Sequence, residues 1–193
     1  MDSENIETIV HDSNNQLQSL SSLIYLNKAE LGAHFNRING IITSLSNKNF
    51  NLRLISNNDV TFNLKKEPAS ALKFDLNKII DSVEGVYFPI IVESEILNTK
   101  NSIQYNPLVF KNIIFNIFDM NEKIHTSCLY INLDFTESAV NLKFKSEASY
   151  TNLPSDTYMK MLSLMCKKCG YFLKFKFEEN KNFKVLITIP TCK

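Results

Sequence analysis

The first sixty residues carry apolar side chains at helical spacing. Val10, Leu17, Ile24 and Leu31 recur at intervals of seven. The companion positions are apolar in only two cases of four: Ile6, Ser13, Leu20 and Asn27. Apolar residues at this period give a helix one seam that must be buried against other helices. The pattern predicts a long helix over about residues 4–28.

A second helix follows after a short connection at residues 27–30. Its apolar positions continue at helical spacing: Leu31, Phe35, Ile38, Ile42 and Leu45. Asn and Ser cluster between Asn47 and Asn58, where we expect this helix to end. Two helices joined by a short loop form an antiparallel hairpin, which cannot cover its own seams. The sequence therefore predicts a homodimer in which two hairpins make a four-helix bundle.

The pattern changes after a polar stretch. Residues 59–72 contain Pro68 and indicate a linker with one short strand over residues 60–64. Asp75 is a suitable cap for a helix over about residues 76–87, and residues 89–97 indicate a strand. Asn106 and Pro107 predict the start of a further helix that ends near Ile124.

The remaining residues alternate in the manner of strands. Apolar side chains recur at every second position over residues 129–135 and 140–144, and again over residues 172–177 and 184–189. A helix over about residues 155–168 interrupts them, and Gly170 is suited to end it. The second region is thus predicted as helices on a mixed or antiparallel sheet. We expect an α+β protein with a helical hairpin over 1–58, a linker over 59–72 and an α/β domain over 73–193.

Composition and charge narrow the classes of partner. The 193 residues are 44% hydrophobic and carry a net charge of +1 without a basic block, so binding to nucleic acid has little support. No apolar run reaches the length of a membrane span. The chain begins with polar and acidic residues, unlike a secretory signal. We therefore expect a cytoplasmic protein with no nucleic-acid or membrane partner.

Four cysteines are then expected to be reduced thiols. Cys166 and Cys169 have the spacing of half a zinc site. Cys128 and Cys192 stand alone, and the three histidines lie elsewhere. We interpret the cysteines as buried thiols and expect no metal bound by this chain.

The candidate chemistry lies on the first helix. His11 is followed by Asp12 and, one helical turn later, by Asn15. Gln18 and Ser22 continue the same polar face, and Asn14 flanks it. A histidine held out on a bundle helix beside an acid and an amide can receive a phosphoryl group. Histidine on a helix surface is more often merely solvated, so the sequence around it leaves both interpretations open.

The order of elements resembles the core of a bacterial sensor histidine kinase without its sensor. The hairpin is similar to the dimerisation and phosphotransfer domain, with His11 at the phospho-acceptor position. Residues 74–80 and 110–123 are similar to the opening segment and the asparagine-bearing helix of the ATP-binding domain. Asn116 matches the first asparagine of that helix, but Met120 takes the position of the second.

The glycine motifs of that domain are missing. Residues 145–154 stand where an Asp-x-Gly-x-Gly turn would receive adenine, and no glycine occurs between Gly85 and Gly170. Backbone that approaches phosphates closely requires glycine. We therefore expect that the chain does not bind ATP and does not phosphorylate itself. A histidine hairpin with a degenerate ATPase-like domain resembles the histidine phosphotransferases of sporulation and cell-cycle phosphorelays.

The resemblance implies phosphoryl transfer between an aspartate of a response-regulator receiver domain and His11. Asp12 and Asn15 would assist catalysis, while Asn14, Gln18 and Ser22 would contact the partner. Mg²⁺ would come with the receiver, so the chain needs no cofactor of its own. A hybrid sensor kinase is a further candidate partner. The alternatives are a response-regulator phosphatase, a non-catalytic dimeric adaptor and a kinase with unusual nucleotide motifs; His34 and His125 are interpreted as structural.

Overall fold

The computed structural model describes residues 3–32, 34–56, 61–83, 87–94, 101–148, 156–178 and 183–192. The chain divides into two compact units. The first contains residues 1–61 and 81–86, and the second contains residues 62–80 and 87–193.

The first unit is built on a helical hairpin. Its helices are α1 (Ser3–Leu26), the single turn α2 (Lys28–Leu31) and α3 (His34–Ser56). Gly32 follows α2 with a φ of 51°, a left-handed conformation that costs glycine little. The edge of the Tyr25 ring meets Phe35 at the connected end, and Asn14 bonds to Asn49 at the other. The predicted pair of antiparallel helices is confirmed.

The predicted seam forms the core of the hairpin at the connected end. Ile24, Phe35 and Ile42 are buried, and Leu17, Leu31 and Ile38 pack partly buried against them. Farther along α3 the predicted seam residue Leu45 is not covered within the hairpin, since it is 43% exposed. The buried positions there include Asn47 and Asn51, followed by Leu54.

The second unit is an α/β layer of three helices and seven strands in the described residues. Its elements are β1 (Lys65–Pro68), α4 (Ala69–Asp81), β2 (Ile90–Ser94), β3 (Ser102–Tyr105), α5 (Pro107–Lys123), β4 (Thr126–Phe135), β5 (Ala139–Ala148), α6 (Asp156–Lys168), β6 (Phe172–Phe177) and β7 (Phe183–Cys192). The sheet order is β1-β3-β7-β5-β4-β2, and β6 also pairs with β7. Only the β2–β4 pair is parallel among these pairings. The predicted mixed sheet with helices is confirmed.

One face of the sheet is buried and the other is partly open to solvent. Burial alternates along β4 and β7, as expected when successive side chains point to opposite faces. The buried face packs against α5, whose residues from Ile113 to Met120 are all buried. Aromatic rings fill much of this core, including Phe115 and Phe118 in edge-to-face contact.

Local signals in the sequence account for the bounds of α5. The Asn106 side chain accepts hydrogen bonds from the backbone nitrogens of Leu108 and Val109, at 2.9 and 3.2 Å. Pro107 begins the helix, where its missing N–H would have no partner in any case. The predicted cap and start are confirmed, and Ile124 ends the helix as expected.

The start of α4 differs from the prediction. Asp75 does not cap this helix; it lies inside it, and its carboxylate accepts a hydrogen bond of 2.7 Å from the Tyr105 hydroxyl. Helical burial begins earlier, at Ala69, and continues through Leu72, Leu76 and Ile79. The backbone nitrogen of Ala69 donates to the carbonyl of Asn101, which anchors the first turn.

Residues assigned to the linker take part in the second unit. Residues 61–64 have no regular structure, while residues 65–72 form β1 and the first residues of α4. The strand predicted over 60–64 is therefore absent from residues 61–64, and residue 60 lies outside the described residues. Gly170 follows α6 with a φ of 70°, as expected for a helix end.

Candidate functional site

His11 is displayed on the outside of the hairpin. It lies on α1 directly after Val10, which is buried at 3% exposure, and its own side chain is 74% exposed. Consecutive residues of a helix point about 100° apart, so burial of Val10 directs His11 outward. An imidazole in this position is accessible to a partner protein.

Two polar side chains converge on one nitrogen of this imidazole. The Nδ1 atom of His11 lies 3.4 Å from Oδ1 of Asp12 and 3.3 Å from Nδ2 of Asn15. Asn15 reaches the ring because residues four apart are neighbours on a helix surface. The three residues proposed from the sequence as catalytic thus form one cluster.

The two contacts at Nδ1 correspond to different tautomers of the His11 ring. A proton on Nδ1 is donated to the Asp12 carboxylate, which leaves the lone pair on Nε2. Donation from the Asn15 amide to Nδ1 instead requires the proton on Nε2. The amide of Asn15 can also turn its oxygen toward Nδ1, since its two terminal atoms are assigned from hydrogen bonding. With a proton on Nδ1, both neighbours then accept from it, and Nε2 is free as a nucleophile.

The three remaining candidates lie differently. Asn14 turns toward α3, where its Oδ1 accepts a hydrogen bond of 3.2 Å from Nδ2 of Asn49. Gln18 and Ser22 are exposed, and the Ser22 hydroxyl donates to the backbone carbonyl of Gln18 at 3.0 Å. Gln18 and Ser22 are therefore accessible from outside the hairpin, whereas Asn14 joins its two helices.

The other two histidines have different surroundings. His34 begins α3 and is exposed. His125 follows α5 with a φ of 52°, which is unusual for a residue other than glycine, and its backbone nitrogen donates to the carbonyl of Glu122. In the described residues neither forms an ion pair with an acid within 4.0 Å, unlike His11.

The asparagine-bearing helix α5 points its amides into the protein. Asn116 is fully buried, and its Nδ2 donates to the backbone carbonyl of Asn112 at 2.8 Å. The same nitrogen lies 3.9 Å from the Sδ atom of Met165 on α6. Met120 is also fully buried. The side chain that the sequence resemblance matches to the first asparagine of the kinase helix is thus packed against a methionine.

Other polar groups of α5 are likewise engaged inside the unit. The Tyr87 hydroxyl donates to Oδ1 of the buried Asp119 at 2.8 Å. Asn121 accepts from the Thr126 hydroxyl at 3.0 Å and donates to the carbonyl of Ile117. Every buried side-chain nitrogen and oxygen in the described residues has a hydrogen-bond partner. These contacts are those of a packed core.

The cysteines of the zinc-like spacing are interior residues. Cys166 and Cys169 are both buried, as interpreted from the sequence, whereas Cys128 and Cys192 are only half-buried. Burial raises the pKa of the Cys166 and Cys169 thiols to about 12. The Cys169 thiol adds to this rise of the pKa at Cys166. At neutral pH both are protonated, whereas metal binding requires the thiolate. Within the described ranges no group of three or more histidine, cysteine, aspartate or glutamate side chains is arranged to hold a metal ion.

Sequence reasoning missed Met165, whose contact with Asn116 depends on the packing of α6 on α5. It also missed a row of lysines on the open face of the sheet. Their signal was present in the sequence, because Lys174 and Lys176 alternate with apolar residues along β6.

Among the helices that the structure describes, none is both long and apolar enough to cross a bilayer.

Comparison with known proteins gives structural similarity without sequence similarity. No family model matches the chain, and no curated protein matches it. The histidine kinase AdeS of Acinetobacter baumannii has a TM-score of 0.54 at 12% identity, over 98% of this chain and 97% of that one. The ATP-binding domain of PrrB from Mycobacterium tuberculosis has a TM-score of 0.53 at 9% identity, over 68% of this chain and 100% of that one.

A third similar structure is also that of a histidine kinase. The cytoplasmic segment of the histidine kinase QseC has a TM-score of 0.51 at 8% identity, over 76% of this chain and 93% of that one. At these identities the similarity concerns the fold. The chain has a fold like that of the histidine kinases, as the resemblance in its sequence implied.

Proposed function

We propose that this protein is a histidine phosphotransferase of a two-component phosphorelay. It exchanges a phosphoryl group between an aspartate of a response-regulator receiver domain and His11, without ATP. The observation that carries the proposal is the exposed imidazole of His11 with Asp12 and Asn15 at its Nδ1 atom. A fold like that of the histidine kinases supports the same class of chemistry.

The transfer step follows from the tautomer with the proton on Nδ1. The Nε2 lone pair attacks phosphorus of the aspartyl phosphate, a P–N bond forms, and the P–O bond to the aspartate breaks. The carboxylate leaves with the electron pair of that bond, and the ring becomes a phosphoimidazolium that still carries the Nδ1 proton. Catalysis of such a transfer rests mainly on positioning and on stabilising charge. Mg²⁺ bound to the receiver would offset the negative charge of the phosphoryl oxygens.

The neighbours of His11 have separate roles in this proposal. The Asp12 carboxylate accepts the Nδ1 proton in a hydrogen bond, which fixes the tautomer and stabilises the positive charge that develops on the ring. Asn15 holds the plane of the ring from the next turn. Gln18 and Ser22 extend this exposed face and are proposed to contact the receiver, and Asn14 supports the hairpin beneath it.

The proposal excludes ATP as the phosphoryl donor because of the way α5 packs against α6. Asn116 is completely shut off from solvent and contacts Met165. For Asn116 to contact a nucleotide, its amide would have to turn outward and Met165 would have to move away. Displacing a close-packed methionine from a core costs several kcal/mol. The phosphoryl group is therefore proposed to come from a receiver domain.

A second copy of the hairpin is the proposed dimer partner. The hairpin leaves large apolar side chains exposed on α1 and α3, including Ile9, Leu20, Leu23, Ile41, Leu45 and Leu52. Monomeric proteins rarely expose apolar patches of more than a few hundred square ångströms. Two hairpins that shared these side chains would form the four-helix bundle expected from the sequence.

The experiment supplies phosphoryl groups from two sources. The purified chain is mixed either with a receiver domain that carries labelled aspartyl phosphate or with γ-labelled ATP. We expect acid-labile, base-stable label to appear on the chain from the receiver and none from ATP. The label should disappear in His11→Ala and persist in His34→Ala, which removes an exposed histidine from the other long helix.

Other outcomes distinguish the alternatives. Loss of receiver phosphate without label on the chain would assign a phosphatase, in which the Asn15 amide orients water. Stable binding of receivers without any exchange, unchanged in His11→Ala, would assign a non-catalytic adaptor. Label from ATP would contradict the proposal and assign a kinase.

A further inference from the structure

The open face of the sheet carries two ordered rows of side chains. Strand pairing sets their registers across β2, β4, β5, β7 and β6. The first row consists of Glu93, Asn132, Lys143, Leu186 and Lys174. The second row consists of Ile91, Tyr130, Lys145, Lys184 and Lys176. Adjacent strands lie about 4.8 Å apart, so each row spans about 19 Å.

All of these residues except Ile91 line a groove of about 590 Å³. Lysine is the commonest residue type in its lining, with Lys143, Lys145, Lys174, Lys176 and Lys184 against the single acid Glu93. Leu186 and Tyr130 supply apolar surface between the ammonium groups. The groove thus combines an apolar floor with a surplus of positive charge.

Some of these charges are satisfied within the protein and others are open. Lys143 pairs with Asp134 at 3.4 Å, and Glu178 pairs with Lys184 at 2.7 Å and with Lys176 at 3.5 Å. In the part of the chain that the structure describes, no carboxylate forms an ion pair within 4.0 Å of Lys145 or Lys174.

The arrangement of lysines lowers the stability of the sheet and is only partly compensated within the described residues. Lys145, Lys184 and Lys176 lie directly opposite one another on adjacent strands, and like charges in such positions repel. Glu178 offsets part of this repulsion. Lys145 is half-buried with its ammonium group 5.9 Å from the centre of the Tyr130 ring, and Lys174 is exposed beside Leu186. An anionic partner would remove the remaining repulsion.

We propose that this groove binds a peptide segment of a partner protein in which acidic side chains flank apolar ones. Acidic residues pair with Lys145 and Lys174, and an apolar residue between them rests on Leu186. A segment of about six extended residues matches the 19 Å width of the rows. Charge complementarity between the groove and such a segment gives the interaction its specificity and its encounter rate.

The shape and chemistry of the groove favour a peptide over other anions. A flat membrane surface would leave a recessed floor of this volume unfilled. Single-stranded nucleic acid is bound mainly by stacking on several aromatic platforms, whereas the aromatic residues of the groove lining are Tyr130 and Phe144, and the Phe144 side chain is buried at 2% exposure. The inference concerns the second unit alone and does not depend on the chemistry of His11.

The test selects peptides and then measures their dependence on the two open lysines. A displayed library of random twelve-residue peptides is selected on the full-length chain, and the most enriched sequences are synthesised with a fluorescent label. We expect aspartate and glutamate to flank apolar residues in these sequences. Binding measured by anisotropy should weaken at least tenfold in Lys145→Glu/Lys174→Glu and should weaken as salt is raised.

A matched variant controls for net charge. Lys160→Glu/Lys167→Glu makes the same charge change at exposed positions on α6 and should bind the peptides as the wild type does. Circular dichroism verifies that both variants fold. Selected peptides without acidic residues, or equal binding by both double variants, would overturn the proposal. Tighter binding of a labelled oligothymidylate or of phosphatidylserine vesicles, lost in the same lysine variant, would also overturn it.

Discussion

The side-chain nitrogen of Asn116 lies 3.9 Å from the sulfur of Met165, and solvent reaches neither side chain. This contact joins α5 to α6 at the residue that the sequence resemblance matches to the first asparagine of the kinase helix. The helix therefore uses its amides to pack and to bond its own backbone.

Met165→Ala should destabilise the chain without creating a nucleotide site. Truncating a fully buried methionine costs about 2–4 kcal/mol of unfolding free energy, because the cavity is only partly refilled. Urea denaturation measures this loss, with Met159→Ala at a half-buried position of the same helix as the milder comparison. Fluorescence of a trinitrophenyl-ATP probe should stay unchanged on addition of the wild type or either variant. An increase on adding the wild type would contradict the proposed loss of ATP binding.

Two adjacent asparagines should respond in opposite ways. Asn14 bonds to Asn49 across the hairpin, so Asn14→Ala should lower the unfolding free energy by about 1 kcal/mol and leave phosphotransfer nearly unchanged. Asn15→Ala should leave stability unchanged and slow transfer about tenfold, the equivalent of one hydrogen bond of about 1.4 kcal/mol. Denaturation curves and single-turnover rates measured on both variants check this. Equal effects of the two substitutions on transfer would argue against separate roles.

The buried thiols should make stability depend on pH in the alkaline range. Burial raises the pKa of Cys166 and Cys169 from 9.0 to about 12, so folding favours the protonated forms. Below pH 9 the two protonated thiols make their full contribution to the unfolding free energy. This contribution is lost as pH rises from 9 toward 12, at up to about 1.4 kcal/mol per pH unit for each thiol. The unfolding free energy should therefore fall less steeply over this range in Cys166→Ala/Cys169→Ala.

Reaction with a thiol reagent provides a second measurement of these cysteines. At pH 8 the half-buried Cys128 and Cys192 should react with Ellman's reagent in the folded protein, and the two buried thiols should react only after denaturation. A folded protein that titrates all four thiols at once would show that Cys166 and Cys169 open readily to solvent.

Charges placed on the outer surface of α1 should separate the proposed dimer. Leu20 and Leu23 are 45% and 57% exposed, so Leu20→Asp/Leu23→Asp should leave the hairpin intact while opposing burial against a second copy. Sedimentation equilibrium should give the mass of a dimer for the wild type and of a monomer for the variant. Leu108→Asp, at a leucine that is 61% exposed on α5, is the control and should remain dimeric. A monomeric wild type at micromolar concentration would remove the basis for the bundle.

Local signals were sufficient for some elements and insufficient for others. Asn106 followed by Pro107 fixes the start of α5 within the sequence itself, since cap and first residue are adjacent. The four-residue strands β1 and β3 have no such signal. They pair with each other across long stretches of the chain, from Pro68 opposite Ser102 to Lys65 opposite Tyr105. Short polar strands of this kind become evident only in the folded sheet.

Part of the site could be derived from spacing alone. His11 and Asn15 are four apart on a helix, which predicts their contact. The orientation of Asn14 toward α3 could also have been predicted from the sequence, because Val10, Asn14 and Leu17 follow the spacing of the buried seam. Its polarity obscured that position, as it did for Asn47 and Asn51. Asparagines are tolerated there because hydrogen bonds satisfy them, such as the one between Asn14 and Asn49.

The sheet ends on one side with β1, a strand of four residues that contains Lys65, Lys66 and Pro68. An unpaired strand edge is a template on which another polypeptide can polymerise. Proline cannot donate a backbone hydrogen bond, and lysine charges repel a second copy of the same edge. In the part of the sheet that the structure describes, this border thus carries two features that oppose the addition of a further strand along β1.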